Sequence, residues 1–89
     1  PSRRNVIGED DYPSASLRAE EEGVTRVRFV VNAEGRVEQC SVVESSGHPR
    51  LDERTCELVV RRFRFEPATE NGKPVPETRT QSVKWQIRR

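Results

Sequence analysis

The chain has 89 residues, enough for one small domain, and a domain of that size buries only ~60–65% of the surface its unfolded form exposes, so its core is thin. Hydrophobic residues make up 31% and charged residues 35%; the formal net charge is +1 with both signs interspersed, which argues against a strong single-sign field and against a nucleic-acid partner. No apolar run approaches the ~20 residues of a membrane-crossing helix and no secretory signal pattern is present; the start at Pro1 rather than Met reads as an excised or processed piece.

Residues 1–11 (PSRRNVIGEDD) are polar and without period, and read as a linker remnant, with Val6 and Ile7 its only apolar anchors. The domain proper is expected over 12–89. Tyr12-Pro13 opens a helix predicted to run from Ser14 to Glu22, with Pro in the first turn, where its missing N–H costs nothing, and Gly23 placed to end it. Val24 to Asn32 alternates, with Thr25, Val27, Phe29 and Val31 on one face and Arg26 and Arg28 on the other, the pattern of a half-buried strand. Asn32-Ala33-Glu34-Gly35 is a hairpin connection. Arg36 to Glu44 is the return strand, but Val37 is out of phase with Cys40 and Val42, which predicts a bulge near Glu38-Gln39.

After the Ser45-Ser46-Gly47 loop, His48-Pro49 begins a second helix. Leu51, Thr55, Cys56, Val59, Val60 and Phe63 recur as one apolar stripe of period 3.6. Arg61, Arg62 and Arg64 gather at its end, where cations suit the helix dipole. Phe63 and Phe65 then alternate with charged residues until Pro67, and Asn71-Gly72 with Pro74 marks a turn. Glu77 to Arg89 is the last strand, with Val83, Trp85 and Ile87 on one face. The order helix-strand-strand-helix-strand predicts a two-layer α+β domain, with a three-stranded antiparallel sheet covered on one face by two helices. Phe29, Phe63, Phe65 and Trp85 are expected in one core.

Residues with chemical potential are few. His48 is the only histidine, and a Ser45 or Ser46 pairing with it would need an orienting group and an oxyanion pocket that the spacing does not supply. Helix-start capping is the simpler reading. Glu20, Glu21 and Glu22 read as a solvated helix face, and the glycines do not form a phosphate loop. Cys40 and Cys56 lie on a strand and a helix that should face each other. A disulfide, a pair of buried thiols and an incomplete metal set with His48 compete, and the metal set lacks ligands. No catalysis and no cofactor are expected. The last strand is the more informative feature. Arg79, Lys84, Gln86 and Arg88 could simply guard an edge, yet such an edge also offers its backbone to an extended peptide.

An ordered set of residues spans most of the chain: Val27, Phe29, Val31, Gly35, Arg36, Val37, Ser45, Ser46, Gly47, Leu51, Asp52, Phe63, Phe65, Pro67, Ala68, Asn71, Gly72 and Pro74, with Tyr12-Pro13 upstream. In this order it resembles the C-terminal domain of TonB-type energy transducers over about residues 12–87. The cysteine pair departs from the broad family, as does Phe63, where many members carry Trp. The resemblance implies a periplasmic domain of an inner-membrane-anchored protein, driven by the ExbB/ExbD motor through an N-terminal anchor. Its partners would be TonB-dependent outer-membrane transporters, whose TonB box adds as a strand, in service of nutrient uptake such as that of iron–siderophore complexes. Carried onto this chain, the receiving residues are Thr78, Arg79, Thr80, Gln81, Ser82, Val83, Lys84, Trp85, Gln86 and Ile87, with Tyr12 and Pro13 nearby. An oxidising periplasm favours the Cys40–Cys56 disulfide. A homodimer through the edge strand is a further expectation. The alternative is an envelope-binding scaffold of the same fold, and a small hydrolase or redox enzyme is the reading from a different class.

Overall fold

A computed structural model describes residues 5–88. After a short 3-10 turn at Glu9–Asp11, the elements are α1 (Ser14–Arg18), β1 (Gly23–Val31), β2 (Val37–Glu44), α2 (Pro49–Arg62), β3 (Ala68–Glu70), β4 (Lys73–Val75) and β5 (Glu77–Trp85). β1 is central in an antiparallel sheet of order β2-β1-β5, and β3 with β4 forms a separate small hairpin. The domain is therefore α+β with a three-stranded antiparallel sheet and two helices.

The alternation of β1 translates directly into burial: Thr25, Val27, Phe29 and Val31 are buried while Val24, Arg26 and Arg28 are exposed. The turn to β2 needs its glycine. Gly35 has φ +83°, and a Cβ there would lie 2.1 Å from the Phe65 carbonyl oxygen, so both the left-handed backbone and the close approach exclude other residues. Asn32 Oδ1 accepts from the Glu34 and Arg36 N–H groups, which locks this turn. The phase slip read from Val37 and Cys40 is a bulge: Gln39 has φ +54°, and the pairing register shifts between Arg28 and Val30.

α2 packs across β1 and β2. It buries Leu51, Thr55, Leu58 and Val59. Leu58 is absent from the stripe read from sequence, and Val60, which that stripe included, is 41% exposed. The buried positions run i, i+4, i+7 and i+8, which turns Val60 toward solvent, while Phe63 enters the core from the helix's C-terminal cap. The Cys40–Cys56 disulfide ties α2 to β2, with Cα atoms 5.6 Å apart.

α1 is shorter than predicted. It ends at Arg18 because Glu20 is left-handed (φ +55°), with the Glu21 N–H on the Ser16 carbonyl and the Glu20 N–H on the Leu17 carbonyl. This is a Schellman-type stop with Glu where Gly is usual, and Gly23 instead begins β1. The last strand is also shorter than expected, ending at Trp85.

The four aromatic residues do not share one core. Phe29 and Phe63 sit with Val27, Val31, Val37 and Val59, with Phe65 packed on them. Trp85 belongs to a second cluster with Tyr12, Leu51, Leu58 and Val83. The pairing of Gly23 with Trp85 and of Phe29 with Arg79 places Trp85 six residues along the ladder from Phe29, or roughly 20 Å at strand rise. Ile7 packs against both clusters. The segment expected as linker thus lies along the domain from residue 5. Asn5 exchanges hydrogen bonds with the Arg64 backbone, and Asp11 holds the Arg62 guanidinium through two 2.8 Å contacts.

Candidate functional site

β5 pairs with β1 over nine consecutive positions without a register shift, from Val31–Glu77 to Gly23–Trp85. Its other edge carries no strand among the described residues. The second outer edge, β2, differs: two register shifts interrupt its pairing with β1, and bulges of this kind blunt an edge against further pairing. The sheet therefore has one regular open edge.

The direction of the backbone groups on that edge follows from the β1–β2 turn. The Asn32 N–H donates to the Arg36 carbonyl at 2.8 Å, so even-numbered residues of β1 address β2. Strand backbones alternate direction, so odd-numbered β1 residues address β5. Their register partners are Glu77, Arg79, Gln81, Val83 and Trp85. Thr78, Thr80, Ser82 and Lys84 consequently turn N–H and C=O to the open edge. All four side chains are exposed on the outer face, whereas Val83 and Trp85 are buried.

The C-terminal end of this edge is held by long-range contacts. The Trp85 ring meets Tyr12 edge-on, centroids 5.1 Å apart. Its Nε1–H donates to Thr55 Oγ1 at 2.8 Å, and that hydroxyl donates to the Leu51 carbonyl. The Tyr12 hydroxyl donates to the Glu21 carbonyl. Just beyond the strand, the Ile87 N–H donates to Glu22 Oε2 at 2.8 Å, and Arg88 Nε pairs with Glu9 at 2.9 Å. A cleft of about 180 Å³ opens here between Ile7, Tyr12, Lys84 and Trp85. At the opposite end, Arg79 lies over the Phe65 ring at 4.8 Å while its Nε donates to Glu77.

Of the residues anticipated from sequence, Thr78 through Trp85 lie in β5, Gln86 and Ile87 follow it, and Tyr12 packs edge-on against Trp85 at its end. Pro13 lines a different groove with Arg50, Arg54 and Cys56. Cys40 and Cys56 bond β2 to α2, away from the open edge. Glu9 and Glu22 were not anticipated; each acts across more than sixty residues of sequence, and nothing local announces such contacts. Of the two expected apolar anchors, Ile7 packs on both clusters while Val6 is exposed.

The Ser45-Ser46-Gly47 loop is a clasp around Asp52. Asp52 accepts from the Ser45 hydroxyl, from the Ser46 N–H and hydroxyl and from Thr25 Oγ1. Burial alone would raise this carboxyl, but these four bonds outweigh it and hold Asp52 below the ordinary carboxylate value. The Ser45 and Ser46 hydroxyls thus point at Asp52, and Ser46 Oγ accepts from the His48 backbone N–H rather than meeting its ring. His48 Nδ1 instead lies 3.6 Å from Glu21. Among the described residues no cluster has the ligands for a metal ion, and no helix is long and apolar enough to cross a membrane.

The fold is a small α+β domain with one regular open edge and a docked N-terminal segment, and an edge of that kind can accept an extended peptide as a further strand. The family described as Gram-negative bacterial TonB protein C-terminal matches residues 9–87. This chain belongs to that family. It is 40% identical over 50 residues to the TonB protein of Pseudomonas putida, a match covering 56% of this chain and 21% of that protein. The match thus spans about a fifth of that relative. The solution structure of the Pseudomonas aeruginosa TonB C-terminal domain superposes with a TM-score of 0.78 at 26% identity, covering 100% of this chain and 86% of that one. The Helicobacter pylori TonB C-terminal domain shares the fold, with a TM-score of 0.63 at 20% identity, covering 88% and 69% of the two chains.

Proposed function

We propose that this domain is the periplasmic, partner-binding part of a TonB-type energy transducer. In this reading it captures the TonB box of an outer-membrane transporter as a strand added to β5, and passes tension that drives active nutrient uptake, of iron–siderophore complexes for example. The inner-membrane ExbB/ExbD motor acts through an anchor elsewhere in the full-length protein. The observation that carries the proposal is the uninterrupted β1–β5 ladder with its second edge open, beside a β2 edge broken by bulges.

The mechanics follow from strand geometry. A peptide paired along β5 and pulled along the strand axis loads its ladder hydrogen bonds together. Each is worth only ~1 kcal/mol net, but several must fail at once, so a contact weak at equilibrium transmits tension briefly. Recognition through main chain also tolerates varied sequences, which lets one transducer serve several transporters. On the protein side, Asp11–Arg62 and the Asn5–Arg64 pair anchor the segment through which an upstream pull enters the domain.

The test is an NMR titration with synthetic peptides from the plug N-termini of candidate transporters. Amide shifts concentrated on Thr78–Ile87 and Tyr12 are expected. Shifts centred on β2 or on the exposed face of α2 would move the partner surface elsewhere. Sedimentation at the same concentrations separates peptide capture from edge-to-edge pairing of two copies.

A further inference from the structure

Two prolines stand at the N-terminal end of the open β5 edge. β4 and β5 are separated by a single residue, Pro76, and β4 itself contains Pro74. The β3–β4 hairpin turns through Asn71 (φ +51°) and Gly72 (φ +78°), with Glu70 paired to Lys73 and Thr69 to Pro74. In a two-residue hairpin of this kind the residues flanking the turn exchange their own N–H and C=O groups. Lys73 and Val75 therefore address β3, and the nitrogen of Pro74 faces away from it. Pro76 has the same parity, as do Thr78, Thr80, Ser82 and Lys84 on the open edge.

β3 follows the extended link that leaves α2. The chain that leads into it leaves the β1–β2 turn, where the Phe65 N–H donates to the Gly35 carbonyl and Pro67 lies against Gly35. By this alternation the positions just before Thr78 that share its outward parity, Pro74 and Pro76, have no N–H. Both prolines are exposed, so packing does not require them.

We propose that Pro74 and Pro76 terminate the docking edge, so that a captured strand pairs along Thr78–Lys84, about seven residues, and cannot slide onto β4. A flat edge without such a mark specifies register weakly, and proline removes the donors that a shifted strand would need. The stop fixes where along its own sequence a partner is gripped, and hence where the tension is applied. This rests on the docking reading above and adds to it the length and register of the captured segment.

The test uses the intact domain and a nested set of capped peptides from one transporter plug, seven, ten and thirteen residues long, with 15N-labelled backbones. For the parent, the longer peptides should bind within about twofold of the shortest, and peptide amides beyond about seven residues should exchange freely. For the Pro74→Thr/Pro76→Thr variant, the thirteen-residue peptide should gain about 25-fold in affinity, the worth of two restored backbone hydrogen bonds. Protection should then extend to the new amides at 74 and 76. Protected peptide amides running past Pro76 in the parent, or an unchanged span and affinity in the folded variant, would overturn the stop while leaving β5 as the docking strand. Absence of protection at Thr78, Thr80, Ser82 and Lys84 with every peptide would overturn the docking reading and the stop together.

Discussion

Asp52→Ala should be among the most damaging single changes outside the apolar core. The carboxylate gathers four donors from β1, the serine loop and the loop backbone, and it sits in the first turn of α2, where negative charge is favoured. Truncation strands the Thr25 hydroxyl, which is fully buried, at a cost of about 1–3 kcal/mol. It also removes the clasp and an N-terminal charge worth roughly 0.3–1 kcal/mol. We expect about 3 kcal/mol in all, a large share of the 5–15 kcal/mol typical of a folded domain. At about 4–8 °C per kcal/mol for a domain of this size, Tm should fall by about 12–24 °C. Urea unfolding at pH 7 measures the loss directly, with an unchanged slope expected. Thr25→Val provides the internal control: without its hydroxyl, the second change should cost about 1 kcal/mol less than in the parent. The pH dependence has a fixed sign. Asp52 is depressed in the folded protein, so its contribution is present above the unfolded value near 3.9 and is lost as pH falls through the folded value. The gap between parent and Asp52→Ala should therefore be widest near neutrality and shrink below about pH 4. A loss under 1 kcal/mol at pH 7, or strict additivity with Thr25→Val, would refute the clasp.

Two further outcomes follow from the packing. Replacing Cys40 and Cys56 by Ala should destabilise the domain by about 3 kcal/mol, from reopening a loop of 16 residues' separation; the parent, unfolded without reductant and alkylated, should gain no label in its intact mass. Phe63→Ala should cost about 3–5 kcal/mol, because Phe63 is 1% exposed in the first cluster, whereas Val60→Ala should stay within about 0.5 kcal/mol; thermal melts that rank the two equally would contradict the face assignment.

The fold was legible where local pattern and tertiary role coincide. The period-2 run from Thr25 to Val31, the Asn32–Gly35 turn and the Pro49 helix start each carry their own signal. Even the bulge at Gln39 showed as a phase slip. What the pattern misplaced depends on contacts remote in sequence. Glu20 takes a left-handed conformation usually given to Gly, with Glu21 tied to Ser16 and Tyr12, so the helix ends earlier than propensity suggests. Trp85 falls in a second cluster because the β1–β5 register sets it opposite Gly23, six residues from Phe29, and register cannot be read from either strand alone. The candidate edge was legible as a strand, but not which of its residues face outward: that parity comes from one hydrogen bond, Asn32 to Arg36, at the far side of the sheet.

That parity makes the docking account directly testable by proline substitution within β5. Ser82 presents its N–H to the open edge, so Ser82→Pro should fold, with Tm lowered only modestly, as edge positions tolerate proline. Val83→Pro, which removes a donor to β1, should unfold the domain. The decisive measurement is the affinity of a transporter plug peptide for folded Ser82→Pro against the parent. The account predicts a loss of at least tenfold, since a donor disappears from the middle of the ladder; binding equal to the parent's would contradict capture by strand addition at β5.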